Sequence, residues 1–373
     1  MQTKVVKLDS TGPDAAKVKE AAAVVDAGGL VAFPTETVYG IACRANADSL
    51  TRLGKLKGRE PEKPYTLHIS EKNDVKKYVP TIGMRAQKLI EHAWPGPLTM
   101  VFELDAQELD MQRNRLGSEV FESLYKDNSI GIRCPDNPVA SMLLRQALSA
   151  VVAPSANIAG RPPAVDAKEV LAQFSGRIEL LLDAGPCKYN RSSTVAKMGE
   201  NGLEILRPGV YSQTDLEAMS RVGFLFVCTG NTCRSPMAEG MFRKYLAKKL
   251  GFELDHLDGL GYKVCSAGVI DMAGFPASRE AIAACAAKGI DIRSHKSRTL
   301  CERLIKESDF VFAMCREHCE RVAAIIPEAA DKCLLLAENK EVPDPIGQPQ
   351  EFFNDCAEQI EKAVKKRIDE LVI

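Results

Sequence analysis

The chain has 373 residues and a formal net charge of −1, with 45% hydrophobic and 27% charged residues. This length favours two domains, and the near-zero charge excludes a global attraction for nucleic acid or anionic membranes. No apolar run of about 18 residues predicts a membrane span, and the N-terminus lacks the apolar core of a secretory signal. The twelve cysteines follow no framework spacing, so we expect mostly reduced thiols in a cytoplasmic protein.

The first 210 residues predict alternating helices and strands. Residues 14–27 carry apolar side chains near helical spacing, and two glycines follow as a C-terminal stop. Short apolar runs then predict strands at residues 30–33, 66–69, 98–104, 129–134, 150–155, 178–185, 193–198 and 203–209. Because helical stretches alternate with them, the pattern predicts an α/β domain over residues 1–210 with a mixed, twisted sheet.

A second domain is predicted after a Pro-Gly break and a polar stretch, which we interpret as a linker over residues 211–221. From residue 222 onward, four apolar strands alternate with helices, and the last helix begins near residue 350. This order predicts a flavodoxin-like α/β domain over residues 222–373, with a four-stranded parallel sheet. Ligands of such sheets bind beyond the carboxyl ends of the strands.

The loop after the first of these strands reads CTGNTCRSP over residues 228–236. Ser235 and Pro236 predict an N-cap and a first helical position, so the backbone N–H groups of the loop should converge on one point. A phosphate there would be bound by those donors and gripped by Arg234. The same positive helix end favours a thiolate at Cys228, which predicts a nucleophile.

The C-x5-R spacing alone is not specific, because Cys315 and Arg321 share it. That second match lies in a helical pattern, which predicts no encircling loop. A zinc site is disfavoured because paired C-x2-C elements are missing from the candidate ligands. Those candidates are Cys228, Cys233, Cys315, His318 and Cys319.

Phosphoryl transfer also needs a proton donor for the leaving group. Asp344 lies in the sequence VPDPIGQ, just past the last predicted strand and at the same sheet edge. The alternative is that Asp344 only forms a turn. Asp331 and Asp355 fit less well, because they fall in a helix-to-strand turn and in the final helix.

The stretch FVCTGNTCRSPMAEG, the SAG at residues 266–268 and the later Asp-Pro pair resemble the low-molecular-weight protein tyrosine phosphatase family, most closely its bacterial protein-arginine phosphatase branch. The resemblance implies a phosphocysteine on Cys228, no cofactor, and phosphorylated proteins as substrates. Tyrosine phosphatase and arsenate reductase activities remain open alternatives. A reversible disulfide between Cys233 and Cys228 is also open. The remaining loop residues that the resemblance assigns are Thr229, Gly230, Asn231, Thr232, Cys233 and Ser235.

The first domain carries softer signals, at strand ends and turns rich in Thr, Ser, Asn, Lys and Arg. Lys57 and Arg59 flank Gly58 in a predicted loop and are candidates for phosphate contacts. Arg52 and Lys55 are better explained as a solvated helix face. His68 lies in the apolar run TLHI, which by default predicts a core histidine.

These strings resemble the YrdC-like threonylcarbamoyl-adenylate synthase family over roughly residues 12–210. The resemblance implies condensation of L-threonine, bicarbonate and ATP, with Mg²⁺ on the triphosphate, for the threonylcarbamoyl modification (t6A) of tRNA. It assigns threonine contacts to Thr35, His68, Arg133 and Ser193. It assigns the ATP side to Lys57, Arg59, Ser129, Ser155, Asn157, Pro163 and Arg207.

No metal-ligating residue is predicted, and tRNA and a t6A transferase are the expected macromolecular partners of the first domain. The alternative for this domain is a non-catalytic module that binds RNA or the ribosome through a basic surface. The K-x-R and S-x-N sets argue against it, because RNA binding alone does not require them.

Overall fold

A computed structural model describes residues 2–60, 63–199, 202–338 and 340–373. The chain forms two compact units that divide between Met219 and Ser220. Among the described residues, no helix is both long and apolar enough to cross a membrane.

The interval expected to be a linker, residues 211–221, differs from that expectation. It contains the helix Gln213–Ser220, and Leu216 of this helix is fully buried in the core of the first unit. Tyr211 is held just before the helix, because its carbonyl accepts from Thr194 Oγ1 at 2.8 Å. The polar composition of residues 211–221 therefore suggested a linker, although these residues include an ordered part of the first unit.

The first unit is built on a ten-stranded mixed sheet of order β1-β8-β2-β3-β7-β4-β6-β5-β9-β10, which confirms the predicted mixed sheet. The sheet contains both parallel and antiparallel pairs. The strands are β1 Lys4–Lys7, β2 Val31–Phe33, β3 Gly40–Arg44, β4 Thr66–His68, β5 Leu98–Glu103, β6 Ser129–Arg133, β7 Val151–Val152, β8 Leu180–Asp183, β9 Thr194–Gly199 and β10 Gly202–Arg207. The helices are α1 Ala15–Asp26, α2 Ala47–Lys57, α3 Met84–Ala93, α4 Ala106–Leu116, α5 Ser118–Leu124, α6 Pro138–Gln146, α7 Ala167–Phe174 and α8 Gln213–Ser220.

Both faces of this sheet are buried at its central strands, as β2 shows. Val31 and Phe33 of β2 belong to one apolar cluster, which also holds residues of α1 and α6. Ala32, between them, belongs to a second and larger cluster. Successive side chains of a strand point to opposite faces, so the continuous apolar strands reflect a sheet with core on both sides.

The second unit has a four-stranded sheet of order β12-β11-β13-β14, and every pair in it is parallel, as the sequence predicts. The strands are β11 Val222–Cys228, β12 Tyr262–Gly268, β13 Phe310–Ala313 and β14 Cys333–Leu335. The helices are α9 Arg234–Leu250, α10 Arg279–Ala286, α11 Glu302–Lys306, α12 Arg316–Ile325 and α13 Gln350–Asp369. The central strand β11 is buried along its whole length, and it ends at Cys228.

One helix start differs from the prediction. Helix α9 begins at Arg234 with Cys233 as its N-cap, and no side chain caps it. Ser235 is therefore the second residue of the helix. Its hydroxyl is engaged by Cys228 and Asn231, so the polar side chain that resembles a cap serves the loop.

Candidate functional sites in the two units

The sulfur of Cys228 lies at the carboxyl end of β11, where the loop to α9 closes around it. The backbone N–H of Asn231 donates to Sγ at 3.2 Å, and the Ser235 hydroxyl lies 2.9 Å from Sγ. Asn231 Nδ2 donates to Ser235 Oγ at 2.8 Å, which leaves the Ser235 hydroxyl proton free to donate to sulfur. Two hydrogen-bond donors therefore converge on the sulfur of Cys228.

Asn231 holds the loop in shape. It adopts the left-handed conformation, with φ of 54°, which asparagine tolerates better than most residues. Its Nδ2 also donates to Ser266 Oγ at 2.8 Å, and its Oδ1 accepts from the backbone N–H of Arg298 at 2.9 Å. His295 Nε2 donates to its carbonyl at 2.8 Å. Three contacts thus fix the fully buried side chain of Asn231, and two more fix its backbone.

The end of β12 leaves room for this loop only because residue 268 is glycine. A Cβ there would lie 2.8 Å from the carbonyl oxygen of Thr229 and 3.0 Å from the backbone nitrogen of Asn231. Both contacts are with backbone, so no side-chain rotation would relieve them. Gly268 therefore lets the loop pack directly on the strand.

Arg234 lies under the loop with its guanidinium held by three partners. It forms an ion pair with Asp344 and donates to Thr229 Oγ1 at 3.0 Å and to the carbonyl of Val342 at 3.2 Å. Arg234 is buried, whereas the Asp344 side chain is 37% exposed. The structure thus brings Cys228, Arg234 and Asp344 to the same edge of the sheet, the edge the sequence indicates.

The other predicted loop residues surround this centre. Thr232 is half-buried, and its hydroxyl lies 3.6 Å from the sulfur of Cys233. The Cys233 sulfur in turn contacts Ser278 Oγ at 3.5 Å, and burial raises the pKa of its thiol. Gly230 faces Met272, whose sulfur would lie 3.4 Å from an added Cβ.

The second C-x5-R match has no comparable loop. Cys315 is the N-cap of α12, and Arg321 lies within that helix. Helical backbone directs its N–H groups along the helix axis, so this match cannot encircle an anion.

A cavity in the first unit is lined by the four residues expected to contact threonine, together with Ser155 and Arg207. A second cavity is lined by Lys57, Arg59, Asn157 and again Ser155. Because Ser155 lines both, the two cavities adjoin. The structure therefore places the K-x-R and S-x-N residues beside the expected threonine site.

Arg133 reaches the first cavity from the end of β6. Its guanidinium donates to Glu36 at 2.7 Å and to Thr37 Oγ1 at 2.6 Å, and the Arg133 and Glu36 side chains are 7% and 2% exposed. The Glu36 carboxylate also accepts from the backbone N–H of Asp136 at 3.0 Å. The buried charge of Arg133 is thus paired, as burial requires, and its Nε is a buried donor without a partner among the described residues.

His68 is a neutral histidine in this cavity. Its burial, and secondarily the charge of Arg133, lowers its pKa to about 3. Its Nδ1 lies 3.1 Å from the carbonyl of Thr66, which can only accept. The proton of the neutral ring is therefore assigned to Nδ1, and Nε2 is left as an acceptor. His68 is buried, as the default interpretation expects, and it also lines the cavity.

The second cavity is cationic. Lys57 is the last residue of α2, not part of a loop as predicted, because Gly58 in the left-handed conformation ends that helix. Its ammonium donates to the carbonyls of Ser155 and, at 2.6 Å, of Asn157. Burial, and secondarily Arg59, lowers the pKa of Lys57 to about 8.

Arg59 and Arg207 add two further cations: Arg59 is half-buried in the second cavity, and Arg207 is an exposed residue that lines the first. Arg59 lies over the ring of Tyr65 at 4.7 Å and has a buried Nε without a partner among the described residues. Arg207 donates to the Ser193 carbonyl at 2.9 Å and to its hydroxyl at 3.1 Å. Desolvation by surrounding residues, then the charges of Arg133 and Arg59, lowers the pKa of Arg207. These cations repel one another, so an anion between them would be stabilising.

Two predicted residues lie outside the lining of both cavities. Ser129 begins β6, whereas Arg133 ends it, and its hydroxyl donates to the Lys126 carbonyl in a turn. Four residues of extended strand span about 13 Å, which separates Ser129 from the site. Pro163 lies next to Ala164, whose backbone bonds with Tyr39 and Ala156.

The roles of several residues in these sites were not predicted from the sequence. Glu36 stands in the string PTETVYG, and its pairing with Arg133 was not predicted. Ser266, His295 and Glu239 form the support behind Asn231, since Ser266 Oγ donates to Glu239 at 2.6 Å. The SAG string marks Ser266 as part of the phosphatase pattern, whereas no sequence signal links Glu36 to Arg133 or His295 to Asn231.

The parallel sheet and its C-x5-R loop place the second unit in the class of phosphatases with a phosphate-binding loop. The first unit is an α/β domain with a mixed sheet and two adjoining polar cavities. Comparison with known families agrees. The low molecular weight phosphotyrosine protein phosphatase family matches residues 223–372, and the Sua5/YciO/YrdC family, described as telomere recombination, matches residues 23–209. The chain belongs to both families, one in each unit.

Individual relatives follow the same division. A threonylcarbamoyl-AMP synthase of Bacillus subtilis is 31% identical over 60% of this chain and 62% of its own length. A putative threonylcarbamoyl-AMP synthase of Mycobacterium tuberculosis is 32% identical over 52% of this chain and 85% of its own. The low molecular weight protein-tyrosine-phosphatase Etp of Escherichia coli is 36% identical over 37% of this chain and 87% of its own. The chain spans less than two thirds of the Bacillus relative.

Proposed function

We propose that the chain is a bifunctional enzyme. Its first unit makes threonylcarbamoyl-AMP, pyrophosphate and water from L-threonine, bicarbonate and ATP. Its second unit removes phosphoryl groups from proteins through a phosphocysteine on Cys228. The product of the first unit serves t6A formation in tRNA, and a t6A transferase is the expected partner.

The observation that carries the first activity is the pair of adjoining cavities, one lined by the residues expected to contact threonine and the other lined mainly by cations. Lys57 and Arg59 of the second cavity, with Arg207 of the first, suit the triphosphate, because a polyanion relieves the repulsion among these cations. The neighbouring cavity offers Arg133 Nε for a carboxylate and the unprotonated Nε2 of His68 as an acceptor for the threonine ammonium or hydroxyl. Ser155, which lines both, marks where the two reactants meet.

Magnesium is expected to arrive with the triphosphate. Among the described residues, no group of three or more His, Cys, Asp or Glu side chains is placed to hold a metal ion, and the lining of the second cavity is mainly cationic. Mg²⁺ commonly binds through substrate phosphates and water, where it would neutralise charge on the triphosphate. The residues of this chain orient the anion and the threonine and exclude water from between them.

The test of the first activity is pyrophosphate release measured with ATP, L-threonine and bicarbonate together and with each omitted in turn. Release that depends on all three supports the proposal. Release independent of threonine, or none, rejects it and favours the RNA-binding alternative.

The phosphatase activity follows from the atoms that surround Cys228. The thiolate attacks phosphorus while loop N–H groups and Arg234 hold the equatorial oxygens. The bond to the leaving group breaks, and Asp344 gives that group its proton. Water then attacks the phosphocysteine with the Asp344 carboxylate as base, which releases inorganic phosphate and the free thiolate.

Phosphoarginine is the proposed substrate. Thr232 is small, half-buried and polar, which leaves room for a planar guanidinium where a larger aliphatic residue would pack on a phenyl ring. A side-by-side assay of phosphoarginine and phosphotyrosine peptides tests this proposal. Faster hydrolysis of phosphotyrosine would reject it in favour of a tyrosine phosphatase, and thiol-dependent arsenate reduction would indicate the arsenate reductase alternative.

A further inference from the structure

A chain of polar contacts runs behind the phosphate loop and ends on a histidine that the phosphatase chemistry does not use. Arg234 donates to Thr229 Oγ1 at 3.0 Å, and Thr229 Oγ1 lies 3.1 Å from His318 Nε2. The other ring nitrogen, Nδ1, lies 3.2 Å from the sulfur of Cys315. His318 belongs to α12, the helix that follows β13 at the edge where the loop lies, and it is only 3% exposed.

The donors and acceptors of this chain fit one arrangement of protons. Arg234 can only donate, so Thr229 Oγ1 accepts from it, and the single hydroxyl proton of Thr229 is left to donate onward. His318 Nε2 satisfies that proton only when the nitrogen is unprotonated. The ring proton is then on Nδ1 and donates to Cys315. Every donor has a partner in this arrangement, whereas a proton on Nε2 would leave the Thr229 hydroxyl without one.

The charges around His318 support the neutral ring. Arg234, Asp344 and Glu341 are the charged groups that act on it, and burial followed by the charge of Arg234 lowers its pKa to about 4. His318 is therefore uncharged near neutral pH. A protonated ring would place a second cation beside the buried guanidinium.

We propose that His318 is a positioning residue, which orients the guanidinium of Arg234 through the hydroxyl of Thr229. This inference rests on the proposed phosphatase function. Asp344 has to separate from Arg234 when it donates a proton to the leaving group. Thr229 and the Val342 carbonyl are then the remaining protein partners of the guanidinium. The Val342 contact is a single hydrogen bond at 3.2 Å, and one hydrogen bond does not fix the orientation of a planar group. The contact of His318 with Thr229 holds the second acceptor in place and so fixes that orientation.

The test uses the full chain with four variants: His318→Leu, His318→Gln, Thr229→Val and the double variant Thr229→Val/His318→Leu. Gln places an amide near the position of Nε2 and retains an acceptor, while Leu does not. His256→Leu is the matched control, because His256 is an exposed histidine of the same unit. Two quantities are measured for each: kcat/KM for p-nitrophenyl phosphate, and the Kd of inorganic phosphate by calorimetry.

We expect His318→Leu to lower kcat/KM and to weaken phosphate binding, each by about tenfold, because Thr229 is then no longer held in place to accept from the charged Arg234. His318→Gln should recover both to within about threefold of the parent. The double variant should lose no more than Thr229→Val alone, because both changes break the same chain. His256→Leu should match the parent.

The proposal is overturned if His318→Leu keeps parental phosphate affinity, or if its loss adds fully to that of Thr229→Val. The latter result would indicate a packing role alone. If His318→Leu does not fold, the comparison of His318→Gln with Thr229→Val decides, since only Thr229→Val should weaken phosphate binding. A parent chain that binds phosphate but hydrolyses nothing would reject the phosphatase function, and the phosphate affinities would still decide the role of His318.

Discussion

Arg234 and Asp344, 110 positions apart in the sequence, form an ion pair beside the phosphate loop. The pair occupies the guanidinium that the proposed mechanism needs for phosphate and the carboxylate that it needs for the leaving group. Phosphate binding must therefore separate the two. Because Asp344 is the more exposed partner, at 37% against 6% for Arg234, we expect it to be the side chain that moves.

The nucleophile is tested by Cys228→Ser. The loop N–H groups and Arg234 remain in this variant, while the sulfur nucleophile is lost. We expect no measurable turnover of p-nitrophenyl phosphate and phosphate affinity within a few-fold of the parent. Residual turnover above that of a Cys228→Ala/Arg234→Ala control would contradict the assignment of Cys228.

The proton donor is tested by Asp344→Ala. We expect kcat for the peptide substrate to fall by something like 10²- to 10⁴-fold, the usual contribution of general acid catalysis. The same variant frees Arg234 from its ion pair, so phosphate affinity should be unchanged or tighter. A variant of Asp355, which lies in α13, provides the control. Equal losses in Asp344→Ala and Asp355→Ala would rule out a specific role for Asp344.

The cationic cavity is tested by Lys57→Ala and Arg59→Ala. Each change removes a cation from the proposed triphosphate site, and we expect threonylcarbamoyl-AMP formation to be abolished. Phosphatase turnover should stay near the parental value, because the two sites lie in separately cored units. Lys55→Ala is the matched control, since Lys55 is exposed on the same helix. If both variants made threonylcarbamoyl-AMP at the parental rate, the assignment of Lys57 and Arg59 to the triphosphate site would be wrong.

Substrate preference is tested by Thr232→Ile. The larger side chain fills space proposed for the guanidinium and adds an apolar surface for a phenyl ring. A change of one or two carbons is worth about 1–3 kcal/mol, so the preference should swing by roughly 10- to 200-fold toward phosphotyrosine. Peptides with each phosphoamino acid in the same sequence provide the comparison. An equal loss for both would show that Thr232 only shapes the loop.

The phosphate loop was predictable because its chemistry is local. Cys228, Arg234 and Ser235 lie within eight consecutive residues between a strand and a helix, so the sequence contains most of their geometry. The support behind Asn231 was not predictable, since Ser266 and His295 come from distant segments. Nothing in their own neighbourhoods signals that they meet.

In the first unit, too, the sequence did not predict which residues of a strand reach the cavity. The residues near the ends of β4 and β6, His68 and Arg133, pair in register and reach one cavity. Ser129 begins the strand that Arg133 ends, and a resemblance that names both cannot tell which end of the strand faces the ligand. The predicted loop at Lys57 was wrong because a helix C-terminus and a loop share the same glycine signal.

Because of Lys57, the number of protons that the first unit binds depends on whether an anion occupies the cavity. With a pKa of about 8, its ammonium is partly deprotonated in mildly alkaline solution while the cavity holds no anion. A bound polyanion stabilises the charged form and raises that pKa, so binding near pH 8 takes a proton from the solvent. The heat of nucleotide binding should then vary with the ionisation enthalpy of the buffer, and apparent affinity should weaken as pH rises through 8.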